Sequence, residues 1–273
     1  MTDKVPAGFI FSQANLNLFE ACPRRFFLRY LRKMDWPSDL SPAEEERENA
    51  LARGQRFHYL VQQDVLGLAA EQEVEASEDP VLVQWWSNFN SFKRELSADE
   101  PFTELELCVP FGDFMVVAKF DRLVATANGE YVIYDWKTGF REPKLQQYQT
   151  SWQTAVYPYV LVEGGEVING GHAIAPDRVC ITYWHAQYPQ VVHRFPHGTA
   201  LHAATRGRLS RAIEEISART GEEEFALTSE VSRCRSCEFC SYCGRQGETG
   251  SEDEEGQEFI EELVEFEIPD EPG

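Results

Sequence analysis

The stretch from Ala118 to Gly139 constrains this chain more than any other. Two apolar segments, Ala118-Lys119-Phe120-Asp121-Arg122-Leu123 and Tyr131-Val132-Ile133-Tyr134-Asp135-Trp136-Lys137, flank Asn128-Gly129. Asn-Gly between apolar segments signals a hairpin, because both residues tolerate positive φ. Asp135 and Lys137 are two apart, so a strand puts both on one face. An antiparallel partner brings Asp121 close to them. Carboxylates so placed repel one another unless a cation lies between them. A hard divalent ion would settle that charge. The lysine could then face an anionic substrate or orient a water.

The rest of the chain is read in order. Ser12 is a plausible N-cap for a helix whose Leu16 and Phe19 share an apolar face. Ala21-Cys22-Pro23 breaks that helix and starts another. Pro37 to Pro42 reads as a loop. Ala43 to Leu68 reads as a long helix, acidic at its start as the dipole favours, and it carries Gly54-Gln55-Arg56-Phe57-His58. Glu71 to Asp79 reads as a loop or helix end, and Pro80 to Leu96 as a helix with Trp85 and Trp86 in the core. Phe102 to Phe111 alternates as a strand with one wet face, on which Glu104 and Glu106 either meet solvent, the preferred reading, or face the metal. A helix from Pro143 to Leu161 carries Gln153 and Tyr157 four apart on one face. Strands over Val179 to His185 and Val191 to Phe195 and a helix over Gly198 to Thr220 complete an alternation that makes a mixed sheet flanked by helices.

Charge and cysteines set further limits. The net charge of −21 over 273 residues excludes a nucleic-acid binder that works by overall charge. Residues 246–273 hold twelve Asp/Glu and no Lys/Arg, more than half of that net charge. The remainder is still acidic, so contact with DNA needs a local basic groove. Arg24, Arg25, Arg29, Arg32 and Lys33 are candidates, with Arg206, Arg208 and Arg211 later. In the tail, Phe259, Leu263 and Phe266 fit one helical face, so the segment either docks or serves as a solubilising extension. No apolar run nears the roughly 18 residues that span a bilayer. Met1-Thr2-Asp3-Lys4 lacks a basic-then-apolar leader, and the expected location is cytoplasmic. In that compartment Cys234-Arg235-Ser236-Cys237-Glu238-Phe239-Cys240-Ser241-Tyr242-Cys243 favours a metal over disulfides.

Taken in order, these pieces resemble a known superfamily. They are Ser12-x3-Leu16-x2-Phe19-x2-Cys22-Pro23-Arg24-Arg25-Phe26, Gly54-x2-Phe57-His58, Asp121, Asp135-x-Lys137 followed by Thr138-Gly139, Gln153-x3-Tyr157, and Cys234-x2-Cys237-x5-Cys243. The order resembles the PD-(D/E)XK nucleases, in particular the RecB-like branch with an iron–sulfur cluster. That branch includes nucleases of CRISPR adaptation and the nuclease domain of AddB. The resemblance implies an α/β fold: a restriction-endonuclease-like mixed central sheet flanked by helices, with a helical N-terminal part and a C-terminal cysteine cluster. It implies one nuclease domain over 1–245, its two ends closed by the cluster, followed by the acidic tail 246–273.

The same resemblance implies roles. His58, Asp121, Asp135 and the Trp136 carbonyl would hold Mg2+ or Mn2+. Asp121, Asp135 and Lys137 would carry hydrolysis of DNA phosphodiesters, exonucleolytic on single strands or ends. Gln153 and Tyr157 would touch the substrate or hold the lysine. Cys22, Cys234, Cys237 and Cys243 would bind a [4Fe–4S] cluster, with Cys240 left over. A zinc site on Cys234, Cys237, Cys240 and Cys243 is the rival and leaves Cys22 unexplained. A non-catalytic or partner-activated subunit, recruited through the tail to a helicase or integrase, is the other alternative. No Gly-x-x-x-x-Gly-Lys-Ser/Thr is present, so a motor would come from another chain.

Overall fold

The computed structural model describes residues 4–35, 42–96, 101–142, 144–235 and 237–245. The acidic tail, and most of the loop expected between Pro37 and Pro42, lie outside the described residues. No described helix is long and apolar enough to cross a membrane. The chain divides into two units. The first comprises Met1–Glu48, Phe111–Met115 and Gly207–Gly273, and the second comprises Asn49–Pro110 and Val116–Arg206.

In the first unit, β1 (Ile10–Phe11) leads into α1 (Gln13–Ala21). Ser12 Oγ accepts from the Asn15 amide at 3.3 Å, and Asn15 Oδ1 accepts from the Ser12 amide at 3.0 Å. This reciprocal cap satisfies two donors that a helix start would otherwise leave bare. Cys22 is extended and ends α1; Pro23 then opens α2 (Pro23–Phe26), which runs into a π-helical turn at Phe27–Leu31. Phe19, Phe26 and Phe27 pack around Phe225, with ring centroids 6.5, 6.2 and 5.0 Å away. The N-terminal helices and the chain leading to the last cysteines therefore share one aromatic core.

The second unit contains most of the sheet and the helices against it. These are α3 (Pro42–Val65), α4 (Ala70–Glu75), α5 (Pro80–Phe92), α6 (Leu145–Thr150), α7 (Trp152–Gly164) and the first part of α8 (Thr199–Ala218). Its strands are β2 (Pro101–Phe111), β3 (Phe114–Ala125), β4 (Tyr131–Lys137), β5 (Val179–His185) and β6 (Val192–Pro196). The order is β1-β3-β4-β5-β6, with β2 beside β3. The expected hairpin is β3–β4, antiparallel, with Ala125 opposite Tyr131 and Gly129 at φ +77° in its turn. β5 runs parallel to β4, with Asp135 opposite Tyr183 and Lys137 opposite His185. A parallel neighbour needs a crossover, which α6 and α7 supply. Every residue of β5 is buried, as a strand covered on both faces requires. The fold is the expected mixed α/β sheet flanked by helices.

Two expected elements differ. Residues 71–79, expected as a loop or helix end, contain most of a separate short helix, α4, from which Glu71 Oε2 accepts from Trp86 Nε1 at 2.7 Å. The helix expected over Pro143 to Leu161 is broken at Ser151. Its hydroxyl caps α7 by accepting from the Thr154 amide at 3.1 Å.

Phe57, Leu60, Trp85, Trp86, Phe89, Trp136 and Trp184 form one cluster in which α3, α4 and α5 cover β4 and β5. Each fully buried side chain of this size contributes roughly 2–3 kcal/mol of transfer free energy. Because side chains alternate along β4, Trp136 enters this cluster while Asp135 and Lys137 face the other way. A hydrophobic anchor thus fixes the strand on which the charged pair sits.

Candidate functional site

His58, Glu104 and Asp121 converge, each with one ligand atom within 4.8 Å of the others. His58 Nδ1 lies 3.3 Å from Asp121 Oδ1. The β3–β4 ladder reaches Arg122 opposite Tyr134. Beyond it the Asp121 side chain takes the place of backbone, and its Oδ2 accepts the Trp136 amide at 2.7 Å. In an extended strand a residue's N–H and C=O project to the same side. The Trp136 carbonyl therefore points toward the side where Asp121 lies. Burial pushes the Asp121 carboxyl up, but His58, the Trp136 amide and Lys137 together hold it below the usual range.

Glu104 corrects the expectation of a solvated face. It is partly buried, and its Oε2 meets Lys119 Nζ at 2.6 Å. Burial and the Asp121 charge raise its pKa, against the pull of Lys119 and His58. Its φ is +53°, in the left-handed region. A left-handed residue inside a strand re-aims the chain as a bulge does, which breaks the period of two that sequence alternation assumes. Glu106 is exposed, as expected.

Asp135, Lys137 and Gln153 close a ring of contacts. Lys137 Nζ meets Asp135 Oδ1 at 2.9 Å and donates to Gln153 Oε1 at 2.8 Å. Gln153 Nε2 donates to Asp135 Oδ2 at 2.6 Å. All three are buried. Tyr157, one turn further along α7, packs on Phe120 with centroids 5.6 Å apart and is also buried. The pair Gln153 and Tyr157 thus lies beneath the site; of the two roles expected for it, Gln153 has the geometry of a lysine holder. Gly54 is required by packing. A Cβ there would meet Thr138 Oγ1 at 2.7 Å, so glycine lets α3 approach the end of β4 and bring His58 to Asp121.

Sequence reasoning missed a second layer behind the lysine. His185 Nδ1 lies 3.1 Å from the Val191 carbonyl, which can only accept. The proton is therefore on Nδ1, and Nε2 accepts from the Tyr148 hydroxyl at 2.8 Å. Burial lowers His185 to about 4, with Lys137 and His193 acting in the same direction and the Val191 bond opposing. Thr154 Oγ1 and the Tyr183 hydroxyl are 2.8 Å apart, and the Lys137 ammonium lies 5.4 Å from the Tyr183 ring centroid. A lone histidine in an apolar strand gave no signal for this layer.

The motif cysteines, Cys22, Cys234, Cys237, Cys240 and Cys243, lie in the first unit. Cys22 is within electrostatic reach of Cys237 and Cys243, and Cys234 of Cys243. Successive turns place them, with Cys237 N bonded to Cys234 O at 3.2 Å and Cys243 N to Phe239 O at 2.9 Å. Burial pushes Cys237 up to about 12 and Cys243 up to about 11. Crowded thiols of this kind stay protonated until a metal displaces the protons. Cys240 donates its amide to Cys237 O at 3.0 Å and accepts from the Arg245 amide at 3.0 Å.

Several of the basic residues expected to form a groove are engaged within this unit. Arg25 is buried and meets Glu238 at 2.6 Å. Arg24 meets Glu222 at 2.7 Å and the Phe225 carbonyl at 2.8 Å. Arg208 meets Glu20 at 3.1 Å.

No curated protein matches the chain. Among solved structures it is similar to SSO0001, with a TM-score of 0.42 and 12% identity over 88% of this chain and 87% of that one. It is also similar to a candidate exonuclease from Eubacterium rectale, with a TM-score of 0.44 and 11% identity over 74% of this chain and 79% of that one. Residues 10–244 match the family model described as the PD-(D/E)XK nuclease superfamily, and the chain belongs to that superfamily of metal-dependent nucleases.

Proposed function

We propose that this protein hydrolyses DNA phosphodiesters as an exonuclease of the RecB-like branch, acting on single strands or ends. The observation that carries the reading is the juxtaposition of a hard-donor triad with a buried lysine. His58, Glu104 and Asp121 form the triad, and Lys137 is fixed from two sides by Asp135 and Gln153.

The donor set fits a hard divalent ion. One imidazole and two carboxylates, one raised by the other, leave a charge that Mg2+ or Mn2+ would balance. His58, Glu104 and Asp121 would hold it, joined by Asp135 and the Trp136 carbonyl. When bound, such an ion polarises the phosphate and lowers the pKa of a coordinated water. Lys137 stabilises negative charge that develops on the phosphate or orients the attacking water. Asp135 and Gln153 set the position of that ammonium, and the Trp136 amide sets the orientation of Asp121.

The cysteine set fits an iron–sulfur cluster held by Cys22, Cys234, Cys237 and Cys243. Cys22 is within electrostatic reach of Cys237 and Cys243, and Cys234 of Cys243, and the cluster would close residues 1–245 into one nuclease domain at both ends. That closure spans a long loop, which is entropically costly to close otherwise.

A second reading, activation by a helicase or integrase partner, draws support from the net charge of −21 and from the arginines turned inward. Cleavage of end-labelled single- and double-stranded DNA by anaerobically purified protein in Mg2+ or Mn2+ tests both readings. Cleavage by wild type and not by Lys137→Ala supports the nuclease. Absence of cleavage by folded, brown protein supports the partner-dependent subunit.

A further inference from the structure

Phe140 stands three residues beyond Lys137 with 42% of its surface exposed. An exposed phenylalanine on a loop is ordinarily loosely held. This one is fixed on three sides. Its ring lies 5.5 Å from that of the fully buried Trp85. The Arg53 guanidinium carbon is 5.8 Å from its centroid, and its carbonyl accepts from the Tyr188 hydroxyl at 2.8 Å. Arg53 is itself anchored, with Nε 2.5 Å from Asp79 Oδ2. A rigid, solvent-facing aromatic with a planar cation over its ring has the chemistry of a base-stacking shelf, since both planes can stack on a base.

Its location follows from α3. Gly54 lies against Thr138, and His58 follows Gly54 by four residues, one turn along the same face. Arg53 precedes His58 by five residues, about 7.5 Å along the axis and about 140° around the helix, and Phe140 follows Lys137 by three, so the pair lies beside the end of β4 that carries the site. A phosphate at the triad would bring an adjacent base within reach of the Phe140 face. We propose that Phe140, together with the Arg53 guanidinium over its ring, is a stacking subsite for an unpaired nucleobase next to the scissile phosphate. The inference rests on the nuclease reading and deepens it. It explains how a strongly acidic chain can hold a single strand through its bases. A paired base is already stacked in its duplex and has no free face to offer.

The test is binding of a fluorescent oligothymidylate and of an abasic oligonucleotide of equal length to the full-length protein, without divalent metal, by anisotropy. Phe140→Leu keeps an apolar cover on Trp85 but removes the aromatic face, and Phe140→Trp restores one. Wild type and Phe140→Trp are expected to prefer the base-bearing strand by roughly tenfold, the scale of base–aromatic stacking. Phe140→Leu is expected to lose most of that preference. The proposal is overturned if Phe140→Leu keeps the wild-type preference, or if wild type shows none or binds neither strand. Cleavage by wild type against Lys137→Ala is scored separately. Lysine-dependent cleavage with an unchanged Phe140→Leu preference sinks only the subsite, whereas absent cleavage sinks the nuclease reading.

Discussion

Gln153 Oε1 accepts a hydrogen bond from Lys137 Nζ at 2.8 Å, so a glutamine on α7 fixes the lysine at the end of β4. The same amide donates to Asp135 at 2.6 Å, and both contacts are buried. Replacing Gln153 with leucine leaves two buried charged groups short of a partner each, at about 1–3 kcal/mol per unsatisfied group. Gln153→Leu is expected to lower kcat by tenfold or more with KM little changed, and to lower the melting temperature. A loss confined to KM would assign Gln153 to substrate contact instead.

Lys137→Ala and Asp135→Ala are expected to abolish cleavage, a loss of at least a hundredfold. Each also strands the opposite charge of a buried pair, a far costlier change than removing an exposed one. Asp135→Asn, which keeps the shape and the Gln153 contact, separates chemistry from folding. A smaller loss of melting temperature than in Asp135→Ala, with no cleavage, is the expected result; full cleavage by any of the three variants contradicts the assigned roles.

In the proposed site, the metal competes with protons for the Glu104 carboxylate. Its pKa is raised by burial and by Asp121, so it protonates at higher pH than an ordinary glutamate. Metal affinity should therefore fall as pH drops through that raised range, because binding must displace a proton. Mn2+ titration followed by electron paramagnetic resonance should show weaker binding at pH 5 than at pH 7. Glu104→Gln should bind more weakly at both, with a shallower pH dependence. Equal affinities for wild type and variant would exclude Glu104 from the ligand set.

His185 predicts an acid-side loss of stability. Its folded pKa is about 4, below the unperturbed value of about 6.5. Between these limits the unfolded chain binds a proton that the folded chain does not. The stability held above pH 6.5 is therefore lost as pH falls toward 4. His197 is lowered to about 4 as well and acts in the same direction. Thermal melts from pH 7 to 4 should fall less steeply in His185→Gln than in wild type. Superimposable profiles would show that His185 is not held neutral.

Arg25 and Glu238 join the Cys22 segment to the cysteine turns at 2.6 Å without any metal. Burial pushes the Glu238 carboxyl up, but Arg25 and Arg29 outweigh it and hold the carboxyl low. Arg25→Ala should destabilise the protein by on the order of 3 kcal/mol through the stranded carboxylate. Cys22→Ser should lose iron and visible absorbance and melt earlier. A colourless wild type, or a Cys22→Ser variant with full iron content, would refute the cluster assignment.

Much of the site was legible in the sequence because it depends on local spacing. Asp135 and Lys137 share a face because strands have a period of two, and Asn128-Gly129 permits the turn that returns Asp121 to them. Gln153 was legible as a motif, but its partners were not, because the amide reaches them across a β–α crossover. Two features were decided only by tertiary structure. Alternation leaves Glu104 either in solvent or facing the metal; the fold, with a left-handed φ of +53° at Glu104, brings it to His58 and Asp121. Arg24 and Arg25 read as a basic surface, yet they find Glu222 and Glu238 some two hundred residues away. Periodicity records which way a regular backbone points a side chain. It carries nothing about a residue that breaks the period, or about charges that meet only after the chain ends are brought together.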